Sequence, residues 1–206
     1  MKRLLKGTLV ALFAFLTVNS FAQTEKGKIL VSGASDFSLM FGKDKMKDDN
    51  NSADGGKSMN FNLNTQVGYF LMDNLAVGAG LGFDYSSYTA AGDNPDKTKN
   101  SSVMLYPFAK YYFMSGNMRP FLTAGVGFGS RKYVSDPDQG ETVTTKYGLM
   151  GYNIGGGVAI FVTDNVAFDL GLGYSSISQK AKEDNPDNMK SITTNFGLNV
   201  GISVVF

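Results

Sequence analysis

Five charged residues, Asp36, Asp84, Lys110, Arg131 and Asp169, fall on the polar side of segments whose other residues alternate between apolar and polar. Carboxylates and cations placed this way can pair with one another, line an ion path or relay protons. Acid–base and metal chemistry most often uses imidazole or thiolate, and this chain has 0 His and 0 Cys. A thiolate nucleophile, a thiolate metal site, a disulfide framework and an imidazole base are therefore excluded. A Ser/Lys or two-carboxylate mechanism would need its groups gathered on one rim, and no such pair stands out. Catalysis is not expected, and no cofactor is called for.

Two further motifs invite chemistry. The glycine clusters Gly78/Gly80/Gly82, Gly125/Gly127/Gly129 and Gly155/Gly156/Gly157 superficially resemble phosphate-binding loops. Those loops sit where a strand gives way to a helix, whereas these glycines lie inside alternating segments, where curvature and facing aromatics demand small residues. The stretches Asp93-Asn94-Pro95-Asp96, Asp136-Pro137-Asp138 and Glu183-Asp184-Asn185-Pro186-Asp187 gather oxygen atoms suited to Ca²⁺ or Mg²⁺. None has the spacing of an EF-hand loop, and Asn-Pro-Asp and Asp-Pro-Asp are turn formers first. They read as solvated turns, with a weak divalent or lipopolysaccharide-bridging site as the alternative.

The elements that carry these residues follow from period-two alternation, which sends successive side chains to opposite faces of a strand. Eight strands are predicted, at 28–42, 57–71, 75–88, 101–114, 120–134, 144–161, 166–179 and 191–206. The second is the cleanest: Met59, Phe61, Leu63, Val67, Tyr69 and Leu71 alternate with Asn60, Asn62, Asn64, Gln66 and Gly68. In the eighth, Ile192, Phe196, Leu198, Val200, Ile202, Val204 and Phe206 oppose Asn195, Gly197, Asn199, Gly201 and Ser203. One face suits hydrocarbon and the other suits small polar neighbours.

The connections alternate in length. Long polar ones are predicted at 44–56, 89–100, 135–143 and 180–190, and short turns at 72–74, 115–119 and 163–165. That asymmetry, with an even strand count, is the pattern of a transmembrane β-barrel. An internal repeat offset by 91 positions supports the count: Asp73-Asn74 matches Asp164-Asn165, Gly80-Leu81-Gly82 matches Gly171-Leu172-Gly173, and Asp93-Asn94-Pro95-Asp96 matches Asp184-Asn185-Pro186-Asp187. Outward aromatics should form two girdles. Tyr69, Tyr111, Phe113, Phe168 and Phe206 belong to the turn end, and Phe41, Phe83, Tyr85, Phe128 and Tyr174 to the loop end. A soluble barrel would turn its apolar face inward instead. Inside, the five charges should pair into a plug, Lys110 with Asp169 and Arg131 with Asp84, since an isolated buried charge costs several kcal/mol.

Lys2, Arg3 and Lys6 precede an apolar run, 7–18, and then Ser20-Phe21-Ala22. Residues 1–22 thus read as a secretory signal peptide cleaved before Gln23, with 23–206 as one barrel domain. No later apolar run reaches the roughly 18 residues of a spanning helix. Removing the three leader cations leaves 16 of 19 basic residues against 18 acidic ones. Such a near-neutral balance gives no footprint for nucleic acid.

The strand-four segment Pro107-Phe108-Ala109-Lys110-Tyr111-Tyr112-Phe113, the Pro120-Phe121-Leu122 opening, the Thr163-Asp164-Asn165-Val166-Ala167 turn and the closing Phe206 carry a family resemblance. The chain resembles the small eight-stranded outer-membrane β-barrels of the OmpX/OmpA type, in the form common in Bacteroidota, over its whole mature length. The resemblance implies an all-β, eight-stranded, up-and-down transmembrane barrel in the outer membrane of a Gram-negative bacterium, with both termini periplasmic. It implies Phe206 as the assembly signal. It also implies outer-membrane lipid and lipopolysaccharide as surroundings, with the barrel-assembly machinery and periplasmic chaperones as partners in biogenesis. The family defines a scaffold rather than a reaction. The leading expectation is a structural, envelope-stabilising or surface-interaction role, with a protein partner at the extracellular loops, chiefly 43–57 and 180–190. A small passive channel for ions or solutes, or an accessory subunit of a larger secretion or uptake complex, is the alternative.

Overall fold

The alternating segments form strands throughout a computed structural model that describes residues 24–34, 38–47, 52–92, 95–183 and 189–206. In chain order these strands are β1 (Ile29–Ala34), β2 (Ser38–Lys47), β3 (Ser52–Met72), β4 (Leu75–Thr89), β5 (Lys97–Tyr112), β6 (Met118–Asp136), β7 (Val143–Phe161), β8 (Val166–Ala181) and β9 (Lys190–Val205). From β2 to β9 each strand pairs antiparallel with the next. β1 pairs with β3 on one side and with β9 on the other, from Leu30↔Val205 to Ala34↔Gly201. β1 and β2 thus share one place in the wall, and the barrel closes with eight strand positions.

The expected continuous first strand is corrected by this arrangement. Continuing the β1–β3 register from Ile29↔Tyr69 would set position 38 against 60, yet Ser38 faces Asn62. The two ladders are slipped by two residues, so strand one is two segments. The long loop expected at 44–56 is also corrected. β2 and β3 keep pairing through Lys45↔Asp54 and Lys47↔Ser52, after an irregularity between Lys43 and Lys45. Charge density argues against a core but not against a ladder, because main-chain pairing needs no apolar side chains. At 21 residues, β3 far exceeds the ~9–11 that cross a bilayer, so this hairpin stands well above the apolar band.

The turns are set by local chemistry. Asn74, between β3 and β4, has φ +69°, a left-handed conformation that Asn tolerates better than most residues. Its carbonyl accepts from Tyr112 N at 2.8 Å, and the Asn165 carbonyl accepts from Val205 N at 2.8 Å. The two Asp-Asn turns of the internal repeat therefore do the same work: each holds the end of the strand after next.

Large apolar side chains cover the outside, among them Leu81, Leu105, Leu122, Ile154, Leu172 and Leu198, all exposed. The barrel is apolar outward, as a hydrocarbon solvent requires. Among the described residues no helix is long and apolar enough to cross a membrane; the strands do the crossing. Inward glycines make room where neighbours lean in. A Cβ on Gly80 would collide with the Tyr106 ring, and one on Gly129 with the Val103 carbonyl.

Candidate functional site

The interior divides into a packed turn end and a hollow loop end. At the turn end Leu30, Phe70, Ala76, Tyr112, Ala159, Ala167 and Val205 are buried almost completely, with Phe108 and Phe161 beside them. The Phe70 and Tyr112 rings lie 6.0 Å apart, and Tyr112 and Phe121 6.1 Å apart. Each large side chain buried here stabilises the fold by about 1.5–3 kcal/mol relative to exposure. Sequence patterning points to a polar interior, and the structure corrects this for the turn end, where an apolar seal spans the barrel. Its residues lie on inward positions of strand ends. A sequence signal did exist: Phe70, Phe108, Tyr112, Phe121 and Phe161 occupy the otherwise polar phase of their strands.

Lys110 and Asp169 sit directly above the seal. Lys110 Nζ reaches Asp169 Oδ2 at 2.6 Å across the barrel, with both side chains largely buried. Ser203 Oγ donates to the same oxygen at 2.6 Å. The ammonium also lies 4.1 Å from the Phe121 ring centroid and 5.0 Å from that of Tyr112, a geometry in which aromatic faces stabilise a cation. β5 and β8 are three positions apart in the wall, with β6 and β7 between them, so the ion pair ties non-adjacent strands through the bore.

The other charges are placed differently. Arg131 donates to Gln179 Oε1 at 2.8 Å, and Asp84 accepts from Ser102 at 2.9 Å. The expected Arg131–Asp84 pair is not formed. Ser102 is the register partner of both residues, so the expected heights agree, but β5 separates the two side chains. Asp36 lies outside the described residues. Of the outward aromatics, Tyr69, Tyr111, Phe113, Phe168 and Phe206 are exposed toward the turn end, and Phe41, Phe128 and Tyr174 toward the loop end. Phe83 and Tyr85 are half-buried, and Phe83 packs 5.8 Å from Phe61.

Above the ion pair lies a cavity of about 530 Å³. Its floor is Lys110, Asp169 and Phe121, and its walls carry Asn64, Gln66, Asn153, Asn195 and Asn199 among many glycines. At the rim, Asp96 Oδ1 accepts from Asp138 N and Asp136 Oδ1 from Thr142 Oγ1, each at 2.7 Å. Asp96 thus ties the connection before β5 to the one after β6, while Asp136 orders its own turn. Asp93, Asp184 and Asp187 lie outside the described residues, and among those described no cluster of acidic residues could hold a metal ion.

The chain entering β1 closes the turn end from below, a feature the alternation pattern does not signal. Buried Thr24 donates to Asn74 Oδ1 at 2.5 Å, Asn74 N donates to the Thr24 carbonyl at 2.7 Å, and Lys26 N donates to Asp73 at 2.9 Å. Arg119 donates to Thr24 Oγ1 and, at 3.0 Å, to the Gly116 carbonyl. Its guanidinium lies 5.2 Å from the Phe161 ring centroid. Arg119→Ala should therefore cost about 1.5–3 kcal/mol, the worth of a charged hydrogen bond. It should also raise hydrogen exchange at Lys26 and Asn74 first; unchanged exchange there would show that the guanidinium does not hold this segment.

A closed antiparallel barrel, apolar outside and sealed within, fits the family whose model matches residues 8–203 of this chain, the outer membrane protein beta-barrel domain. The chain belongs to that family. Solved structures similar to this outer-membrane β-barrel protein include Neisserial surface protein A, at 22% identity, covering 87% of this chain and 96% of that one with a TM-score of 0.43. Ail of Yersinia pestis is 14% identical, covering 88% and 99% with a TM-score of 0.46. A major outer membrane protein from Thermus thermophilus is 13% identical, covering 87% and 98% with a TM-score of 0.48. No curated protein matches significantly. The outer membrane of a Gram-negative bacterium is where this barrel resides.

Proposed function

We propose that this barrel is a non-catalytic, non-conducting anchor that presents its loop end at the cell surface. The observation that carries the reading is the seal: Phe70, Tyr112 and Phe161 fill the bore, with the Lys110–Asp169 pair above them. A bore filled with packed side chains leaves the loop-end surface and the cavity beneath it as the parts able to meet a partner. The absence of His and Cys from the whole sequence supports the non-catalytic part. In this reading the turns and both termini face the periplasm, residues 1–22 are removed as a signal peptide, and Phe206 serves assembly. Cleavage after Ala22 would leave Thr24, bound to the Asp73-Asn74 turn, almost at the new terminus.

Specificity would reside in the loop-end stretches 43–57 and 180–190, functions of this kind concentrating in variable elements on a rigid scaffold. The test is crosslinking and pull-down from intact outer membranes, comparing the natural barrel with one whose four connections are trimmed to short turns. Partner capture should disappear while heat-modifiable gel migration, the sign of a folded barrel, persists. Retention of every partner by the trimmed barrel would refute the reading. Protease added to intact cells should cut only at the loop end; cuts at the short turns would reverse the orientation.

A further inference from the structure

Lysines of the loop end point outward, on the side that lower down faces lipid. Phe128, Met150 and Ile192 belong to one outward row, joined through Ser178, and all three are exposed. One outward step above that row Lys180 faces Lys190, and two steps above it Lys132 faces Lys146. The Lys146 carbonyl accepts from Lys182 N at 2.9 Å, so a third lysine, just past β8, continues the upper row. Elsewhere in the wall Lys43 faces Lys57, and Lys97 and Lys99 share the outward phase of Val103 and Leu105 on β5.

These lysines form a collar rather than a spiral. Followed from Gly33 through Thr65, Phe128 and Ser178, a row of partners reaches Ile192, whereas Gly33 itself faces Ile202 on β9. A row therefore gains ten residues in one circuit of the wall, or about four in three strand positions. Phe61 shares the row of Lys132 three positions away. Lys57, four residues further up β3 than Phe61, is thus level with Lys132. Lys132 itself lies four residues above Phe128, roughly 13 Å along the strand. A lysine stem there can lie back over the apolar rows while its ammonium stays in the headgroup layer.

Like charges directly opposite each other destabilise a sheet, and this level of the barrel holds three such pairs. Carboxylates answer few of them. Asp136 is the register partner of Lys97, and Glu183 lies 3.8 Å from Lys146. Among the described residues Lys57, Lys99 and Lys132 have no ion-pair partner. An anion between facing ammonium groups removes the repulsion, and a phosphate monoester suits two or three of them, with close to two charges and three acceptor oxygens. The collar faces away from the bore and continues the apolar rows upward, so an anion held there has hydrocarbon directly beneath it. That position belongs to the headgroup of a lipid.

We infer that the outward lysine collar, centred on Lys132, Lys146, Lys180 and Lys190, binds the phosphate monoester headgroups of the lipids that surround the loop end. The headgroups relieve the facing charges and fix the height of the barrel in its leaflet. The inference deepens the surface-anchor reading and takes from it which leaflet this is.

Spin-labelled lipids in phosphatidylcholine vesicles holding the purified barrel test it. Labelled phosphatidic acid should be enriched at the protein surface about fivefold or more over labelled phosphatidylcholine, the worth of one lysine at an anionic headgroup. Equal partition would overturn the inference. Labelled phosphatidylglycerol, a diester with a single charge, should be enriched less, and equal enrichment would remove the monoester from the argument. Sodium chloride at about 1 M, where the screening length is about 3 Å, should erase the effect; persistence would assign it to the tails. Joint replacement by Lys132→Gln, Lys146→Gln, Lys180→Gln and Lys190→Gln should remove most of the enrichment while heat-modifiable migration persists. Lys26→Gln with Lys28→Gln, at the turn end, should leave it unchanged, and the reverse pattern would place the lipid at the other rim. Inorganic phosphate should displace no more lipid than chloride of equal ionic strength; greater displacement would make the collar an anion site open to solvent. None of these results depends on which way the barrel is inserted. The inference can therefore fail while the orientation stands, and protease cuts at the short turns of intact cells would reverse the orientation without touching the collar.

Discussion

Asp169→Asn should cost the barrel about 3–5 kcal/mol, the expected consequence of stranding one member of a buried ion pair. Lys110 Nζ lies 2.6 Å from Asp169 Oδ2, with side-chain exposures of 5% and 13%. Ser203 Oγ, which donates to the same oxygen, cannot compensate an ammonium because it brings no charge. Lys110→Met should be comparably harmful, leaving Asp169 charged beside an apolar floor. The joint substitution Lys110→Met with Asp169→Leu should recover most of the loss, since the removed Coulomb attraction was largely offset by desolvation. Urea unfolding in lipid vesicles, followed by circular dichroism, reads all three. If both single variants unfold within about 1 kcal/mol of the natural barrel, the pair is solvated and the floor of the cavity is not dry. The exposed pair Lys146–Glu183, 3.8 Å apart with side-chain exposures of 58% and 75%, supplies the contrast: breaking it should change stability by at most about 1 kcal/mol.

Strand positions and facing are the parts of this molecule most legible in the sequence. Period-two alternation is imposed directly by the pleat, and hydrocarbon outside sharpens it. Leu122, Val126 and Phe128 announce the lipid face of β6 without any knowledge of their neighbours. Ladders that outrun the bilayer are less legible, because the pattern fades where both faces meet water. That is why the Lys45↔Asp54 pairing looks like a loop in the sequence. The break between β1 and β2 is a two-residue slip, and a shift of two preserves the phase of the alternation. The ion pairs illustrate the other boundary. Height along a strand follows from counting residues, and it places Lys110 with Asp169. Azimuth around the bore depends on tilt and shear. One row of partners runs Ile29, Tyr69, Val77, Ala109, Ala124, Ile154, Tyr174, Phe196, and the β1–β9 register would bring it back to position 39, ten residues above its start. Such a climb is invisible to a strand-by-strand reading, and it decides that Arg131 meets Gln179 across β7 rather than Asp84 across β5.

The natural barrel should show no stable unit conductance in a planar bilayer, whereas Phe70→Ala with Tyr112→Ala should produce stepwise currents. Both side chains are fully buried in the turn-end seal, and their rings touch the same space, 6.0 Å apart. Truncating both removes the largest volume that blocks the bore, on the side where the cavity otherwise ends. Each truncation alone should cost about 3–5 kcal/mol in stability. Their shared contact means that the costs do not simply add, and heat-modifiable migration identifies the preparations that remain folded. Lys110→Met with Asp169→Leu should leave the bilayer silent, because it changes the charge of the floor without removing the rings beneath. Opposite outcomes separate the two layers of the closure. Currents in the charge-free variant would make the ion pair the gate and the aromatic layer permeable. Sizeable currents from the natural barrel would mean that the packed turn end opens in a membrane, and the protein would then be a channel rather than a sealed anchor.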